Sequence, residues 1–394
     1  MGHITKSPDR CYFAVDTRIN RNGQVFWDPR QSFPRDHWVE SIKVFGRIGV
    51  LARTQPTTEA YTDKVLFPSD VEIGELPYYV GPLAAVRKIL PLIFAGRSWA
   101  ARGDRFVLRM PAFVPIIFWL WLRLYRKPYA LEVLGDPREV FEVVHHPLSV
   151  LWKNLYSGAQ RLMIRKATAV LYISRTLADR YPARFGTYSV VVSDVRLGRD
   201  IYTKPRHYGQ ILNPIRLVHV GTMDQPYKGQ DYLLRAIDLC RRKNLAVKAT
   251  FIGDGRLRES LEALSRELKL EEAVQFCGSV SWGTALFRLL DQADLFIMCS
   301  LTEGLGKALL EAMARGLPAV GSNVGGIPEL LPPEVLVEPS NAVALAAKIM
   351  ELAGDPGRLT RLSLMNFQES LKYRDELLSE KRTEFYRRVR DAIG

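Results

Sequence analysis

The stretch that decides the fold is 299–331, which reads CSLTEGLGKALLEAMARGLPAVGSNVGGIPELL. The apolar run just before it, DLFIMC at 294–299, predicts a buried parallel strand, and a polar loop with two glycines follows at 300–306. Good helix formers fill 307–315, and Gly-Leu-Pro then ends the helix and leads into the next strand over 316–321. Strand, loop, helix and strand make a βαβ unit, and its loop lies at the sheet edge where such folds bind ligands.

The loop of this unit has the composition of a phosphate-binding loop. Gly304 and Gly306 let the backbone come close to a ligand, and the helix N-terminus at Lys307 offers free N–H groups and partial positive charge. Carboxylates stand at both ends of the element, Glu303 before the helix and Glu311 two turns into it. Two glutamates at this spacing occur by chance on many acidic helices, so the pair by itself indicates nothing.

Taken with the EAMA run, the Gly-Leu-Pro stop and the following GGIPEL, the glutamate pair resembles the signature of glycosyltransferase family 4, retaining enzymes with the GT-B fold. The resemblance implies an α/β protein with two Rossmann-like α/β/α domains that face each other across a cleft, and a C-terminal helix that crosses back to the first domain. It implies an acceptor-binding domain at 1–205 with about 371–394, a linker near 200–214, and a nucleotide-sugar-binding domain at 206–370. The alternative is an ordinary βαβ unit with incidental carboxylates.

A second stretch supports the resemblance. A predicted strand is followed by GTMDQPYKG, which begins at Gly221. In the family, an Arg just after this glycine and a Lys before the next glycine grip the donor diphosphate. Lys228 matches the Lys, whereas Thr222 occupies the Arg position and brings no charge. Lys307, Arg256 or an Arg of the first domain are candidates to replace that charge, and a plain surface lysine is the alternative for Lys228.

The resemblance implies metal-free transfer from a nucleotide-diphospho-sugar, with no other cofactor. Glu311 would accept the ribose hydroxyls, Glu303 would contact the donor sugar, and Lys228 with the loop amides would stabilise the departing diphosphate. No nucleophile is needed, because on a front-face route the leaving phosphate oxygen can take the acceptor proton. The remaining donor-side positions that the resemblance implies are Gly221, Thr222, Gly253, Gly278, Gly304, Leu305, Gly306 and Lys307.

The acceptor side is predicted from the first half of the chain. The strand that ends at Leu134 leads to Asp136, in or next to the slot where the family commonly carries a His near the acceptor hydroxyl. A carboxylate there could bind or deprotonate that hydroxyl, or it could cap the turn before the following proline; both remain open. His145 and Gly23, the latter in a predicted polar loop at 17–28, are further acceptor-side candidates, with a surface role and a plain Asn-Gly turn as their alternatives.

The composition is that of a two-domain globular protein, with 394 residues, 47% hydrophobic and 25% charged, and no sequence repeat. The four cysteines are scattered without a CxxC or a Cys/His cluster, so we expect no disulfide, no zinc site and a cytoplasmic location. The N-terminus is polar and unlike a signal peptide. The longest uncharged apolar stretch, 110–122, is too short to span a bilayer.

Positive charge is concentrated in the first half of the chain. The net charge is +13, and residues 1–200 hold 29 Lys and Arg against 18 Asp and Glu. Such a surface suits anionic lipid headgroups on the inner face of the membrane or an anionic acceptor, and the amphipathic helix predicted at 83–101 resembles one that some relatives press onto membranes. A solvated basic face and a helix that packs on the sheet are the alternatives. Nothing resembles a nucleic-acid module, so we expect no nucleic-acid partner.

The sequence therefore predicts a retaining glycosyltransferase in the synthesis of a cell-surface polysaccharide, glycolipid or related glycoconjugate, acting on an acceptor sugar, a lipid-linked sugar or a small molecule. One alternative is another GT-B enzyme, such as a sugar epimerase. The other is a catalytically silent GT-B subunit that binds a sugar nucleotide or supports a partner enzyme. Thr222 and the missing acceptor His favour the silent subunit, whereas Glu303, Lys228 and Glu311 favour the enzyme. Base, sugar and acceptor stay open.

Overall fold

The computed structural model describes residues 10–29, 37–60, 66–103, 105–138 and 149–393. These residues form two compact α/β units. The first comprises the described residues up to Val192 together with those from Ser379 onward, and the second comprises Ser193–Leu378.

The first unit is built on an eight-stranded sheet, in which seven strands are parallel in the order β4-β3-β1-β5-β6-β7-β8 and β2 pairs antiparallel with β1. Fully buried apolar runs such as Phe106 to Leu108 are typical of strands covered on both faces. The strands are β1 (Cys11–Asn22), β2 (Val25–Trp27), β3 (Ile48–Pro56), β4 (Val71–Leu76), β5 (Arg105–Met110), β6 (Ala130–Val133), β7 (Ala169–Tyr172) and β8 (Tyr188–Val191).

The beginning of the first sheet differs from its prediction. The polar loop predicted at 17–28 is wrong, because β1 continues to Asn22 and turns through Gly23 into β2. Pairing of β1 with β3 shifts register between Ala14 and Arg18 and then resumes, and Ile19 is fully buried in this second part. The register break hides the strand from an alternation analysis, since the polar residues around it read as a loop.

Helices of the first unit cover this sheet, and they include α1 (Val39–Phe45), α2 (Pro82–Arg87), α3 (Ile89–Arg102), α4 (Phe113–Leu124), α5 (Ser149–Lys166) and α6 (Arg175–Arg180). The single helix predicted at 83–101 is two helices that meet at Lys88. Pro91 explains the break, because in a continuous helix its ring would clash with the carbonyl of Arg87, whereas in the first turn of a new helix it is tolerated.

The second unit contains a six-stranded, all-parallel sheet in the order β11-β10-β9-β12-β13-β14. Its strands are β9 (Ile215–Val220), β10 (Val247–Ile252), β11 (Val274–Phe276), β12 (Leu295–Met298), β13 (Ala319–Ser322) and β14 (Leu336–Val337). Its helices are α7 (Gln230–Arg242), α8 (Arg258–Glu267), α9 (Thr284–Gln292), α10 (Lys307–Ala314), α11 (Ile327–Leu330), α12 (Ala342–Ala353) and α13 (Pro356–Ser370). The strand, loop, helix and strand predicted at 294–321 are confirmed.

The division between the units falls earlier in the chain than the predicted linker. Leu197 and Ile201 are buried in the core of the second unit, and the N–H of Thr203 donates to the carbonyl of Ala314 at 3.2 Å. This segment therefore packs as part of the second unit. The last helix, α14 (Asp375–Ile393), begins in the second unit and belongs to the first from Ser379 onward, as expected for a C-terminal helix that crosses back.

Candidate functional site

The two motifs predicted from separate stretches meet at the carboxyl edge of the second sheet. Lys228 lies in the loop after β9 and Glu303 in the loop after β12, and these two strands are parallel neighbours. The Lys228 Nζ lies 2.6 Å from Oε2 of Glu303, and the Ser300 hydroxyl donates to the same oxygen at 3.2 Å. The two charged side chains are only 13% and 12% exposed, so a cation and a carboxylate are held together in a largely desolvated site.

Glycines bring these loops into contact. A Cβ at Gly229, whose φ is +69°, would lie 2.1 Å from the carbonyl oxygen of Cys299. A Cβ at Gly325, with φ +53°, would lie 1.8 Å from the carbonyl oxygen of Glu303. Neither position accepts a side chain without moving the loop that carries Glu303.

The loop ends at the N-terminus of α10. Gly306, at the N-cap, has φ +91° and no side chain to cap the first amides of the helix, while Leu305 is buried beside it. Uncapped N–H groups and the helix dipole together form a favourable place for an anion. This helix N-terminus follows Glu303 by four residues, and anion binding there stays a prediction.

Glu311 lies inside the same helix, and its side chain is almost fully buried. Its Oε1 accepts a hydrogen bond of 2.9 Å from the indole Nε1 of Trp282 and lies 3.9 Å from Nζ of Lys307. Burial raises the pKa of Glu311, while Lys307 and the Trp282 hydrogen bond act in the opposite direction. Trp282 was not predicted, because it lies in an irregular segment after β11 where no pattern marks it.

The position of the missing arginine is occupied by a small polar network. The Thr222 hydroxyl donates to Oδ2 of Asp224 at 3.1 Å, and Nε of Arg256 donates to the backbone carbonyl of Asp224 at 2.6 Å. Of the two second-domain candidates for the replacement cation, Arg256 contacts the loop that carries Thr222, whereas Lys307 lies beside Glu311. The remaining glycines support this edge, since Gly253 packs on the carbonyl of Gly221 and its N–H donates to the carbonyl of Gly278 at 2.9 Å.

A buried histidine lies beneath the site and was also missed. His219, at 1% exposed, lies in β9, and its Nδ1 is 3.0 Å from the carbonyl oxygen of Ile297. Burial lowers the pKa of His219 to about 4, so the ring is neutral near pH 7, and Nδ1 carries the hydrogen that the carbonyl accepts. A histidine inside a largely apolar strand gives no sign of whether it supports a site or only the core.

On the acceptor side, Asp136 is held in a closed set of contacts within the first unit. Its side chain is 1% exposed, Oδ1 accepts from the Tyr181 hydroxyl at 2.6 Å and from the backbone N–H of Arg138 at 2.8 Å, and Oδ2 pairs with Arg180. Burial raises the pKa of Asp136, but the hydrogen bonds from Tyr181, Arg180 and Arg138 outweigh it and hold this pKa below its ordinary value. These contacts favour the turn-capping alternative over a general base.

The contacts of Asp136 give a pH-dependent prediction. Because its pKa is lower in the folded chain, ionised Asp136 stabilises the fold above about pH 4, and this stabilisation is lost as pH falls through the folded-state pKa. Asp136→Asn should lower the free energy of unfolding at pH 7 by about 1–3 kcal/mol, and the difference should shrink in acid. Denaturant unfolding at several pH values measures this, with exposed Asp179→Asn as the control. A deficit that is the same at pH 7 and at pH 3 contradicts it.

The other acceptor-side candidates are not joined to Asp136 by any contact that the structure shows. Gly23 lies at the tip of the β1–β2 hairpin, where a Cβ would meet nothing within 4 Å, so the Asn-Gly turn alternative is favoured. His145 lies outside the described residues.

A cluster at the register break between β1 and β3 was not predicted as a site. Oδ1 of Asp16 accepts from the Tyr79 hydroxyl at 2.8 Å and lies 2.7 Å from Nε of Arg53, and Oδ2 accepts from the backbone N–H of Phe113 at 3.1 Å. The sequence predicts strands at 11–16 and 48–52, so Asp16 is the last residue of the first and Arg53 follows the second. Their nearness could have been inferred if the two strands had been known to be parallel neighbours. Across the described ranges, no group of His, Cys, Asp and Glu side chains is placed to hold a metal ion.

Comparison with known proteins finds similarity to glycosyltransferases. The model of the family described as "Glycosyl transferases group 1" matches residues 214–355. CapJ of Staphylococcus aureus is 23% identical over 80% of both chains. The amylovoran biosynthesis glycosyltransferase AmsK of Erwinia amylovora is 34% identical over 36% of each chain, and other curated relatives are matched over 34% to 60% of their own length.

Solved glycosyltransferase structures share the fold over nearly the whole chain. One similar structure, HepE of Anabaena in complex with UDP-glucose, superimposes with a TM-score of 0.63 at 18% identity and covers 95% of this chain and 98% of that one. Two parallel-sheet Rossmann-like units and these likenesses establish the GT-B fold. The chain therefore has the GT-B fold, and its second domain is similar to the group 1 glycosyltransferase model.

Proposed function

We propose that the chain is a retaining family 4 glycosyltransferase that moves a sugar from a nucleotide-diphospho-sugar to an acceptor hydroxyl. The observation that carries the proposal is the 2.6 Å contact between Lys228 and Glu303 beside the uncapped N-terminus of α10. In the proposed reaction, Lys228 is the cation for the departing diphosphate and Glu303 is the carboxylate that contacts the donor sugar. The name of AmsK and the UDP-glucose bound to HepE support a sugar-nucleotide donor and a role in making polysaccharide, glycolipid or a related glycoconjugate.

The proposed donor lies along the second-sheet edge. Glu311 accepts the ribose hydroxyls, in competition with the indole N–H that occupies its Oε1 in the ligand-free chain. The diphosphate lies at the amides that follow Gly304 and at Lys228, and the sugar lies at Glu303. Because Lys228 is paired with Glu303 before the donor arrives, donor binding must exchange part of that ion pair for a phosphate contact.

The proposed chemistry needs neither a metal nor another cofactor. Negative charge that develops on the leaving phosphate oxygen is met by the Lys228 ammonium, the α10 dipole and Arg256 beside Thr222. The same oxygen accepts the proton of the attacking hydroxyl on the face from which it departs, so the anomeric configuration is kept without a protein nucleophile. Glu303 then holds the sugar hydroxyls and steadies positive charge near the anomeric carbon.

A nucleotide screen tests the donor site. Thermal unfolding is followed with UDP, GDP, ADP and TDP, and a nucleotide at a hundred times its Kd should add about 2.7 kcal/mol to the free energy of unfolding. Glu311→Ala and Lys228→Ala should abolish the shift, while the exposed controls Glu259→Ala and Lys243→Ala should keep it. If no nucleotide stabilises the chain, the missing positive charge at Thr222 prevents diphosphate binding. The silent-subunit alternative then becomes the better proposal.

Hydrolysis separates the enzyme from the silent subunit. An enzyme should slowly hydrolyse its sugar nucleotide in the absence of acceptor, and Glu303→Ala should abolish this hydrolysis while nucleotide binding through Glu311 is retained. A chain that binds the nucleotide but never cleaves the sugar nucleotide supports the silent subunit.

We also propose that the first domain binds the inner, anionic face of the membrane from the cytoplasm. Within the described residues, no helix has the length and apolar character to span a bilayer. On α3 the apolar residues Leu90 and Phe94 are 63% and 64% exposed, and Arg87 at the end of α2 and Lys88 between the two helices are close in sequence. An apolar helix face beside basic side chains is the arrangement by which helices lie in an anionic interface.

Vesicle binding tests the membrane proposal. Arg87→Glu/Lys88→Glu should abolish co-sedimentation with vesicles that contain phosphatidylserine, because each reversed charge removes about 1 kcal/mol of attraction and adds repulsion. Lys243→Glu/Lys269→Glu, with the same charge change in the second domain, should leave co-sedimentation intact. Unchanged binding of the first variant contradicts the proposal.

A further inference from the structure

The first unit contains a second concentration of positive charge, away from α2 and α3. A cavity of about 240 Å³ is lined by Arg161, Arg165, Arg180, Tyr181 and Pro182. We call it the arginine pocket. Three of its five lining residues carry a full positive charge, and none carries a negative charge.

Fixed elements hold the pocket walls. Arg161 and Arg165 are four residues apart on α5, so they lie on the same face of that helix. The guanidinium of Arg161 lies 5.5 Å from the centre of the Tyr181 ring. Tyr181 is 1% exposed and is held at both ends, because its hydroxyl donates to Asp136 at 2.6 Å and its carbonyl accepts from the Tyr172 hydroxyl at 2.7 Å.

The charges of the pocket are only partly balanced within the protein. Arg180 pairs with Asp136, whose carboxylate also accepts from Tyr181 and from the N–H of Arg138. In the part of the chain that the structure describes, neither Arg161 nor Arg165 is in an ion pair. Guanidinium groups that lie close together without a carboxylate for each of them repel one another electrostatically. A bound anion removes this repulsion.

The size and donor geometry of the pocket point to a phosphate. A volume of about 240 Å³ is below the roughly 300–1,000 Å³ of sites that enclose a drug-sized ligand. A guanidinium presents a planar fork of N–H donors that matches two phosphate oxygens. One phosphate or a diphosphate is of a size to lie in such a space.

We propose that the arginine pocket binds the phosphate group of a phosphomonoester or diphosphate, carried either by a membrane lipid or by a soluble molecule. The site lies wholly within the first domain and does not depend on the proposed donor chemistry of the second. It gives the first domain a phosphate-recognition site of its own, next to the strand end that carries Asp136.

Calorimetry with inorganic pyrophosphate tests the site itself. All variants are made in the Lys228→Ala background, so that the proposed donor site does not contribute. Arg161→Gln/Arg165→Gln should weaken binding by at least about tenfold, since each removes hydrogen bonds to a charged group. Lys166→Gln, which removes one positive charge on the same helix outside the pocket lining and so matches Arg165→Gln alone, should weaken it by less than about twofold.

The substitutions should not unfold the protein, because both arginines are exposed on a helix and Gln is a good helix former. A change in binding therefore reports on the pocket. Arg165→Gln alone leaves the contact between Arg161 and Tyr181 intact and should still weaken pyrophosphate binding. Equal effects of Arg165→Gln and Lys166→Gln would show only a diffuse charge effect and overturn the proposal.

Vesicles distinguish the two sources of the phosphate. Vesicles of phosphatidylcholine are compared with vesicles that also contain phosphatidic acid. A lipid source predicts that co-sedimentation with phosphatidic acid is lost in Arg161→Gln/Arg165→Gln but not in Lys166→Gln. A soluble source predicts arginine-dependent pyrophosphate binding with unchanged co-sedimentation. If neither pyrophosphate nor phosphatidic acid binding depends on the two arginines, the proposal is wrong, whatever the donor site does.

Discussion

Lys228→Ala is expected to lower kcat/KM for sugar transfer by about two to three orders of magnitude, the typical cost of removing one preorganised group that stabilises transition-state charge. The Lys228 ammonium is largely buried and lies 2.6 Å from Glu303, so little water is present to replace it. Its charge contacts the bound diphosphate and interacts more strongly with it as that group departs, so the loss should fall on kcat as well as on KM. The measurement uses the sugar nucleotide whose base the thermal screen identifies.

The Lys228→Ala result needs controls for two other effects. Removal of the lysine leaves Glu303 buried without its cation, so the thermal stability of the variant is measured without ligand. Lys243→Ala removes a positive charge from an exposed position in the same domain and should leave kcat/KM unchanged. Lys228→Arg keeps the charge with a different shape and should recover part of kcat. A loss of less than about threefold in Lys228→Ala would exclude this lysine from transition-state stabilisation.

Arg109→Met should be the most destabilising single substitution among those considered, at about 3–5 kcal/mol, because it leaves a buried carboxylate unpaired. The Arg109 Nε lies 2.7 Å from Oε2 of Glu132, and the two side chains are 8% and 1% exposed. The Tyr386 hydroxyl of α14 donates to the other carboxylate oxygen at 2.7 Å. A loss of this size in a domain of 150–250 residues lowers Tm by about 10 °C, which calorimetry resolves.

A double-mutant cycle separates the ion pair from simple loss of packing. Arg109→Met/Glu132→Leu removes both charges, and we expect it to recover most of the lost stability, since buried ion pairs are often replaced by apolar residues at little cost. Tyr386→Phe should cost about 1–3 kcal/mol in the wild-type background and much less when Glu132 is already Leu. A double variant as unstable as Arg109→Met alone would show that shape, and not charge, is what these residues contribute.

The elements of the second domain could be predicted closely, because residues near each other in the sequence determine where its strands and helices begin and end. Glycines at 304 and 306 and the Gly-Leu-Pro stop mark where a strand, a loop and a helix must begin and end. The contact between Lys228 and Glu303 was not predicted, and it arises because both loops end neighbouring parallel strands. The roles of these residues in catalysis remain predictions.

The first domain was harder because its features depend on distant contacts. The extension of β1 beyond its register break is visible only when β3 is beside it, and the break at Lys88 depends on whether Pro91 starts a new helix. Asp136 illustrates the same limit at a candidate site. Its partners Arg180 and Tyr181 lie far along the chain, and they decide between a base and a cap.

Because Trp282 donates a hydrogen bond to Glu311, the fluorescence of this tryptophan should report on ligand binding to the second domain. Indole emission depends on what the ring's N–H contacts, and this ring is half exposed, with Phe287 edge-on at 5.5 Å. Any ligand hydroxyl that reaches Oε1 of Glu311 must share or replace that N–H. Occupation of a buried carboxylate is thereby converted into a change of tryptophan fluorescence, so a ligand can be followed as it arrives, without a label and without turnover.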